Sequence, residues 1–463
     1  MKDLIKQNLT YGQAALTILV ILLLTVFCQF NGLSLIIPLL LLFAGVHLFI
    51  SRKADYRLFL NLGLLLTLIV VTAFGLVTYA DVNIYYIPVA CVAMLTILLF
   101  HDLQLAFLMA FVSSALVSLV LTGSLNMMLI FFLGSLTAAY IVKGARARGT
   151  LFSSGFYTGL IQAVCAGLIT PDKNVLFSRE FLSAHLYPLF INGFICAGTV
   201  MIVLKVFEWL FGSLTNFSLI ELSDFNHPLL KRMILEAPGT YHHSLVVSNL
   251  SEAAADAVGA NALLTRVGAY YHDIGKMEKP EYFTENQLVG GNKHDTIEPS
   301  ISRLVILNHV KEGMELARKY KLNKQIVDFI PQHHGTSLMF FFYQKALEDA
   351  KDDGDVDEEN YRYPGPKPQR KETAIVLLAD SVEGATRAID EPNPVKIEEV
   401  VRKVINNKFI DGQLDECSLT LKEIEIIAQT FTRVLSAMYH GRVKYPEKKS
   451  GNGEKKDAHE ERE

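Results

Sequence analysis

Apolar and polar positions divide the chain into two unlike halves. Up to residue 212 long apolar runs follow one another with few charges; beyond it, apolar positions recur at helical spacing among ordinary polar residues. The first run, 13–50, is nearly free of charge. As one helix it would extend about 57 Å, against a hydrocarbon core of about 30 Å. Asn31-Gly32 sits in its middle and is a strong turn pair, so the run predicts a helical hairpin over 13–30 and 33–50. Further runs at 58–79, 84–100, 103–122, 125–142, 151–170 and 187–211 bring the expected total to about eight spans. Lys2 and Lys6, then Arg52, Lys53 and Arg57, then Lys143, Arg146 and Arg148 fall in alternate loops, which predicts that both termini are cytoplasmic. Ionisable groups deep in the spans are scarce, so an ion or proton pathway is not indicated, and the spans read as an anchor and sensor. His101-Asp102 lies in a short turn without partner ligands.

A polar connector follows, 213–236, without Gly/Ser repeats and therefore ordered. Beyond it the pattern is helix after helix. Thr240 is a candidate N-cap for a helix to Val258, stopped by Gly259. A second helix, Ala262 to Ile274, is expected to stop at Gly275. A third runs from Glu298 to Tyr320, and a fourth from Asn323 to His334, stopped by Gly335. Three more are predicted at 373–389, 395–408 and 420–441, the last opened by a Thr420-x-x-Glu423 capping box. No strand-period pattern competes. The expected fold class is all-α: a polytopic transmembrane helical bundle over 1–212, the connector, and a cytosolic all-α domain over 237–446. The acidic and then proline-rich stretch 348–371 reads as a solvated loop, with a lid as the alternative, and the tail 447–463 as disordered.

Composition adds exclusions. The net charge of −4 gives no polycation, so a nucleic-acid polymer is not an expected partner. The five cysteines contain no CxxC pair, which removes a thiolate zinc site and a disulfide framework. What stands out is a set of imidazoles and carboxylates: His243, the adjacent His272-Asp273, His309, the pair His333-His334, and Asp380. A lone histidine on a helix is usually structural. Here each group lies on a helix with an apolar face that turns it toward a common core, and a buried carboxylate needs a cation or hydrogen bonds there. The set offers enough nitrogen and oxygen donors for two metal ions, whereas His242 and His294 are not expected to be ligands.

The order H…HD…H…HH…D resembles the HD-domain phosphohydrolase superfamily. The strings Glu236-Ala237-Pro238-Gly239-Thr240-Tyr241-His242-His243-Ser244, Tyr270-Tyr271-His272-Asp273-Ile274-Gly275-Lys276, Gln332-His333-His334-Gly335-Thr336 and Tyr363-Pro364-Gly365-Pro366-Lys367-Pro368 narrow it. They are similar to the bacterial seven-transmembrane HD family, the PgpH-like cyclic di-AMP phosphodiesterases. The resemblance implies hydrolysis of cyclic di-AMP to pApA with a pair of manganese or iron ions. Carried over, His243, His272, Asp273 and Asp380 hold one ion; Asp273, His309, His333 and His334 hold the other; Asp273 bridges. His243 is preferred to His242 because the family places a hydroxyl residue, here Ser244, after it. Lys276 is expected either to neutralise a substrate phosphate beside Asp273 or to be a solvent-exposed lysine at a helix end. Mixed N/O ligation suits Mn²⁺ or Fe better than Ca²⁺ or a closed Zn²⁺ site.

That family carries a large extracellular domain after its first span; here only Asn31-Gly32 stands in that place. No Gly-Tyr-Pro triplet occurs, which separates the chain from the related enzymes that cut cyclic di-GMP. The implied location is the bacterial cell membrane, with the HD domain cytoplasmic. The alternatives are an HD phosphohydrolase acting on another nucleotide, such as (p)ppGpp, and a non-catalytic nucleotide receptor. The oligomeric state is left open, a homo-oligomer included.

Overall fold

The computed structural model describes residues 56–170, 173–287, 293–349 and 356–439. The expected hairpin at 13–50 and the tail 447–463 lie outside them. The described part is helical; its β-structure is one isolated antiparallel bridge, Leu338 to Arg362. The chain divides into two compact units, with the main break between His227 and Pro228 and the short piece Asn323–Gln325 grouped with the first. The connector is therefore shared out: the helix Asn216–Leu222 belongs to the first unit and Pro228–Glu236 to the second.

The six described apolar runs of the first unit are helices. Five are long and apolar enough to cross a membrane, Arg57–Ala80, Leu103–Leu121, Leu125–Val142, Gly149–Ile169 and Arg179–Phe211, and the segment Ile84–Phe100 is shorter. Their ends follow local chemistry. Asp102 caps Leu103–Leu121 by accepting the Leu105 amide at 2.8 Å, so the His101-Asp102 pair is a helix boundary. The short segment is fixed by Asn192, whose side-chain amide donates to the carbonyls of Tyr85 and Ile87, both at 2.7 Å. Gly149–Ile169 and Tyr187–Phe211 meet backbone to backbone: a Cβ on Gly193 would lie 1.9 Å from the Gly155 carbonyl oxygen. Small residues let membrane helices approach this closely. At the end of the last span buried Glu208 accepts from the Thr215 amide at 3.1 Å and the Ser218 hydroxyl at 2.8 Å, which ties the connector helix to the span.

In the second unit the central element is Lys371–Arg387. Ala374, Ile375, Val376, Leu377, Leu378 and Ala379 are all fully buried, so this helix is apolar all round over that turn and a half and must be surrounded. Pro238–Ala257, Ala262–Tyr271 and Pro394–Ile410 pack on it. Each large aliphatic side chain buried this way contributes about 1.5–3 kcal/mol.

Four expectations are corrected. Pro238–Ala257 starts before Thr240, with Ala237 at the cap position and no side-chain cap; the Thr240 amide is taken instead by Asn286 Oδ1 at 3.0 Å. Gly275 is not a helix stop. It sits in a 3₁₀ turn, Ile274–Glu278, where a Cβ would lie 1.8 Å from the His309 carbonyl oxygen, so its smallness admits the helix Pro299–Lys319. The expected fourth helix is broken into Lys324–Val327 and Phe329–Gln332. The described end of the 348–371 stretch is pinned rather than solvated: Met339 donates to the Tyr361 carbonyl at 2.9 Å and Tyr363 to that of Ser337 at 3.1 Å. Gly259 and Gly335 do sit at left-handed φ as helix stops, and the Thr420–Glu423 box forms in both directions.

Candidate metal centre

The second unit brings all seven candidate ligands together. His243 comes from the start of Pro238–Ala257, and His272-Asp273 from the end of Ala262–Tyr271. His309 lies mid-helix in Pro299–Lys319, His333-His334 just past Phe329–Gln332, and Asp380 in the buried centre of Lys371–Arg387. The ligand atoms form two groups, each with all atoms within 4.8 Å of one another: His243, His272, Asp273, Asp380, and Asp273, His309, His333, His334. Asp273 is common to both, one oxygen to each. Its Oδ2 lies 3.2 Å from His272 Nε2 and 3.6 Å from His243 Nε2; its Oδ1 lies 3.4 Å from His333 Nε2 and 3.5 Å from His309 Nε2. Asp380 closes the arrangement, Oδ1 at 3.0 Å from His243 Nε2 and Oδ2 at 3.7 Å from His334 Nδ1.

The imidazoles are oriented from behind. The Nδ1–H groups of His272 and His333 donate to the carbonyls of Ala269 and Ile330 at 2.6 and 2.7 Å, and that of His309 donates to Ile306. This leaves Nε2 as the lone-pair nitrogen aimed inward. The Nε2 atoms of His272, His309 and His333 and Oδ1 of Asp273 are buried without any hydrogen-bond partner. Buried acceptors are almost always satisfied, and unpaired acceptors converging on one point are what a cation would satisfy. The donor set therefore fits divalent metal.

Electrostatics agree. Burial alone would raise Asp273, but the Lys276 ammonium and the His272 imidazole outweigh it and hold the carboxyl well below the usual range. Asp380 is likewise held low against burial by His243 and His272. Burial pushes His309 down to about 4 and, with His333, lowers His334 well below its ordinary value, keeping both neutral as ligation requires. His272 resists burial and is raised to about 10 by Asp273 and Asp380: the cluster's field asks for positive charge, a proton or a metal ion.

Lys276 is not the solvent-exposed lysine that one reading allowed. Its side chain is only 13% exposed, with Nζ 2.7 Å from Asp273 Oδ2 and 2.9 Å from Glu285 Oε1. His242 is exposed and apart from the cluster. His294 is buried, but its ring bonds the Tyr282 carbonyl at 2.9 Å, outside the ligand groups. The sequence reading missed three residues. Glu383 bonds His243 Nδ1 at 2.7 Å, Glu285 holds Lys276, and Tyr363 stacks on His334 with ring centroids 4.2 Å apart. Glu383 was findable, since it lies one helical turn beyond Asp380 on the same face. Tyr363 heads the proline-rich segment Tyr363-Pro364-Gly365-Pro366-Lys367-Pro368, which carries no chemical signal of its own, and nothing local marks Glu285.

Two family profiles match the chain. One, described as a 7TM receptor with intracellular HD hydrolase, covers residues 15–215; the other, the HD domain, covers 240–385. The cyclic-di-AMP phosphodiesterase PgpH of Bacillus subtilis is 41% identical over 391 residues, 83% of this chain and 54% of the relative. PgpH of Listeria monocytogenes is 44% identical over 317 residues, 68% of this chain and 44% of the relative. The crystal structure of the L. monocytogenes PgpH HD domain in complex with cyclic-di-AMP is 50% identical, with a TM-score of 0.45, covering 47% of this chain and all of that one. The chain spans about half the length of the curated relatives it matches. An HD domain implies divalent metal, in keeping with the cluster, and the apolar helices make this a multi-pass membrane protein. From the two profiles and these identities, the chain belongs to the family of seven-transmembrane receptors with an intracellular HD hydrolase domain.

Proposed function

We propose that this chain is a membrane-anchored, metal-dependent phosphodiesterase that hydrolyses cyclic di-AMP to pApA. The observation that carries it is Asp273, set between two groups of buried acceptors with one oxygen toward each. The names of the relatives at 41% and 44% identity supply the substrate. His243, His272, Asp273 and Asp380 would hold one ion and Asp273, His309, His333 and His334 the other, with Mn²⁺ or Fe favoured by the N/O donors. When bound, such ions supply Lewis acidity to a phosphoryl oxygen and a water of lowered pKa. The protein's part is to hold the acceptors in place. Backbone carbonyls fix His272, His309 and His333, and Glu383 fixes His243. Lys276 keeps Asp273 ionised and in position while Glu285 holds Lys276. In the reaction a water oxygen bonds to phosphorus, the bond to one ribose O3′ breaks, and the water's protons end on the new phosphate and that hydroxyl. One water is consumed per ring opened. The alternation of basic loops along the sequence supports a cytoplasmic side for the cluster and both termini.

The test is the purified full chain with Mn²⁺ and cyclic di-AMP. Formation of pApA supports the reading. Turnover of (p)ppGpp or another cyclic dinucleotide in preference to cyclic di-AMP would replace the substrate, and binding without turnover would make the chain a receptor.

A further inference from the structure

The ligand cluster opens on one side. His243, His272, Asp273, His309 and His333 are closed off, whereas the side chains of His334 and Asp380 keep 19% and 14% of their surface. Substrate must come in over these two. Tyr363 lies stacked on His334 at that edge. Lys408, from the helix Pro394–Ile410, reaches the chain just past His334. Its Nζ lies 2.7 Å from the hydroxyl of buried Ser337, whose own amide bonds the His334 carbonyl at 3.1 Å.

Lys408 differs from the other cations around the cluster. Lys276 is paired with Asp273 and Glu285, Arg387 with Glu383, and Arg362 with Glu358 and Asp411. Among the described residues Lys408 makes no ion pair. Asp411, three residues on, is engaged by Arg362 at 3.0 Å. Burial draws the Lys408 ammonium down from its ordinary value, while the more distant charges of Asp380 and Asp411 hold it up. A half-buried ammonium with one hydroxyl partner carries part of a desolvation cost and has two N–H donors left over. An arriving anion would offset that cost.

Cyclic di-AMP carries two phosphodiesters in one ring. When one lies at the cluster, the other must rest against protein. We propose that Lys408 and Ser337 form the anion subsite for the phosphate that is not being cut. This rests on the reading of the cluster as a cyclic di-AMP phosphodiesterase. It also gives the site a means of preferring a cyclic dinucleotide over a substrate with a single phosphodiester.

The experiment uses the full chain with Mn²⁺, comparing wild type, Lys408→Met and Lys408→Arg on cyclic di-AMP and on bis(p-nitrophenyl) phosphate. In Lys408→Met the KM for cyclic di-AMP should rise by about tenfold or more. The ratio of kcat/KM for cyclic di-AMP over the single diester should fall by a similar factor, at wild-type manganese content. Lys408→Arg, which keeps the charge, should recover most of the loss. An unchanged KM for cyclic di-AMP overturns the subsite, and so does an equal loss on both substrates, which would mean a structural role. If the wild type cuts the single diester but not cyclic di-AMP, the substrate reading itself fails and the subsite falls with it.

Discussion

Glu383 Oε2 lies 2.7 Å from His243 Nδ1. Of the other imidazoles of the cluster, His272, His309 and His333 give Nδ1–H to main-chain carbonyls of their own helical turns, so their orientation comes with the helix. His243 sits in the opening turns of Pro238–Ala257 and depends on a side chain from Lys371–Arg387, the helix that carries Asp380. Glu383 is itself buried and tied to Arg387. One helix thus supplies a candidate ligand and, a turn later, the group that aims its neighbour.

Glu383→Ala should therefore weaken metal binding by about 10–100-fold, the usual effect of removing a partner behind a ligating imidazole. The fold should survive, because the change removes no apolar core. Glu383→Gln keeps an acceptor and should fall between. Competition with a metal-binding dye gives the affinities. Unchanged affinity in Glu383→Ala would show that His243 needs no such support.

Asp273→Ala should abolish turnover and loosen both ions, since each oxygen faces a different ligand group. His294→Ala is the contrast. It lies outside the cluster, so activity should persist, but it leaves the Tyr282 carbonyl without its ring partner and should cost about 1–3 kcal/mol of stability. Activity, metal content and a melting curve on both variants decide it. A comparable loss of turnover in the two would mean the ligand assignment is wrong.

Gly275→Ala tests the packing that delivers His309. The added methyl would meet the His309 carbonyl at 1.8 Å and the Gly313 amide nitrogen at 2.5 Å, both backbone, so the helix must move. A loss of about 1–3 kcal/mol with lowered metal affinity is expected. Gly384→Ala, exposed and with nothing within 4 Å of the new Cβ, should be neutral or stabilising by about 0.5–1 kcal/mol. Equal melting temperatures for the two would contradict the close approach.

The helices and the seven residues that gather in the candidate site were legible because each had a local signal. The apolar runs gave the spans, Gly259 and Gly335 gave helix ends, and the HD and HH pairs stood out by composition alone. What escaped was made by contacts between distant segments. Asn286 replaces Thr240 as the cap because a turn about 45 residues downstream happens to pack on that helix start. Gly275 looked like a stop because helical periodicity ended there, whereas its real task is set by a helix still to come. Lys276 read as exposed or as substrate-facing, because its second carboxylate, Glu285, lies in an irregular stretch with no periodicity to place it. The polar composition of 348–371 concealed Tyr363, whose ring contacts depend on the bridge between Leu338 and Arg362.

In the protein stripped of metal, protons answer the field of Asp273 and Asp380. His272 is raised to about 10, above its unfolded value of about 6.5, so its stabilising contribution is complete below about pH 6.5 and lost as pH rises toward 10. His309 is lowered to about 4, so its neutral state favours folding above about pH 6.5 and that contribution is lost as pH falls toward 4. The two limbs slope in opposite directions and should give the chelator-treated protein a stability maximum near pH 6.5. Mn²⁺ should flatten the alkaline limb, because metal takes the place of the proton at His272 and binds more tightly once the imidazole is deprotonated. It should also raise the melting temperature at any pH where it binds the folded state alone. Melting curves of the full chain from pH 5 to 9, with chelator and with Mn²⁺, read both effects. Parallel pH profiles in the two conditions would mean that the ion does not occupy the place held by the His272 proton.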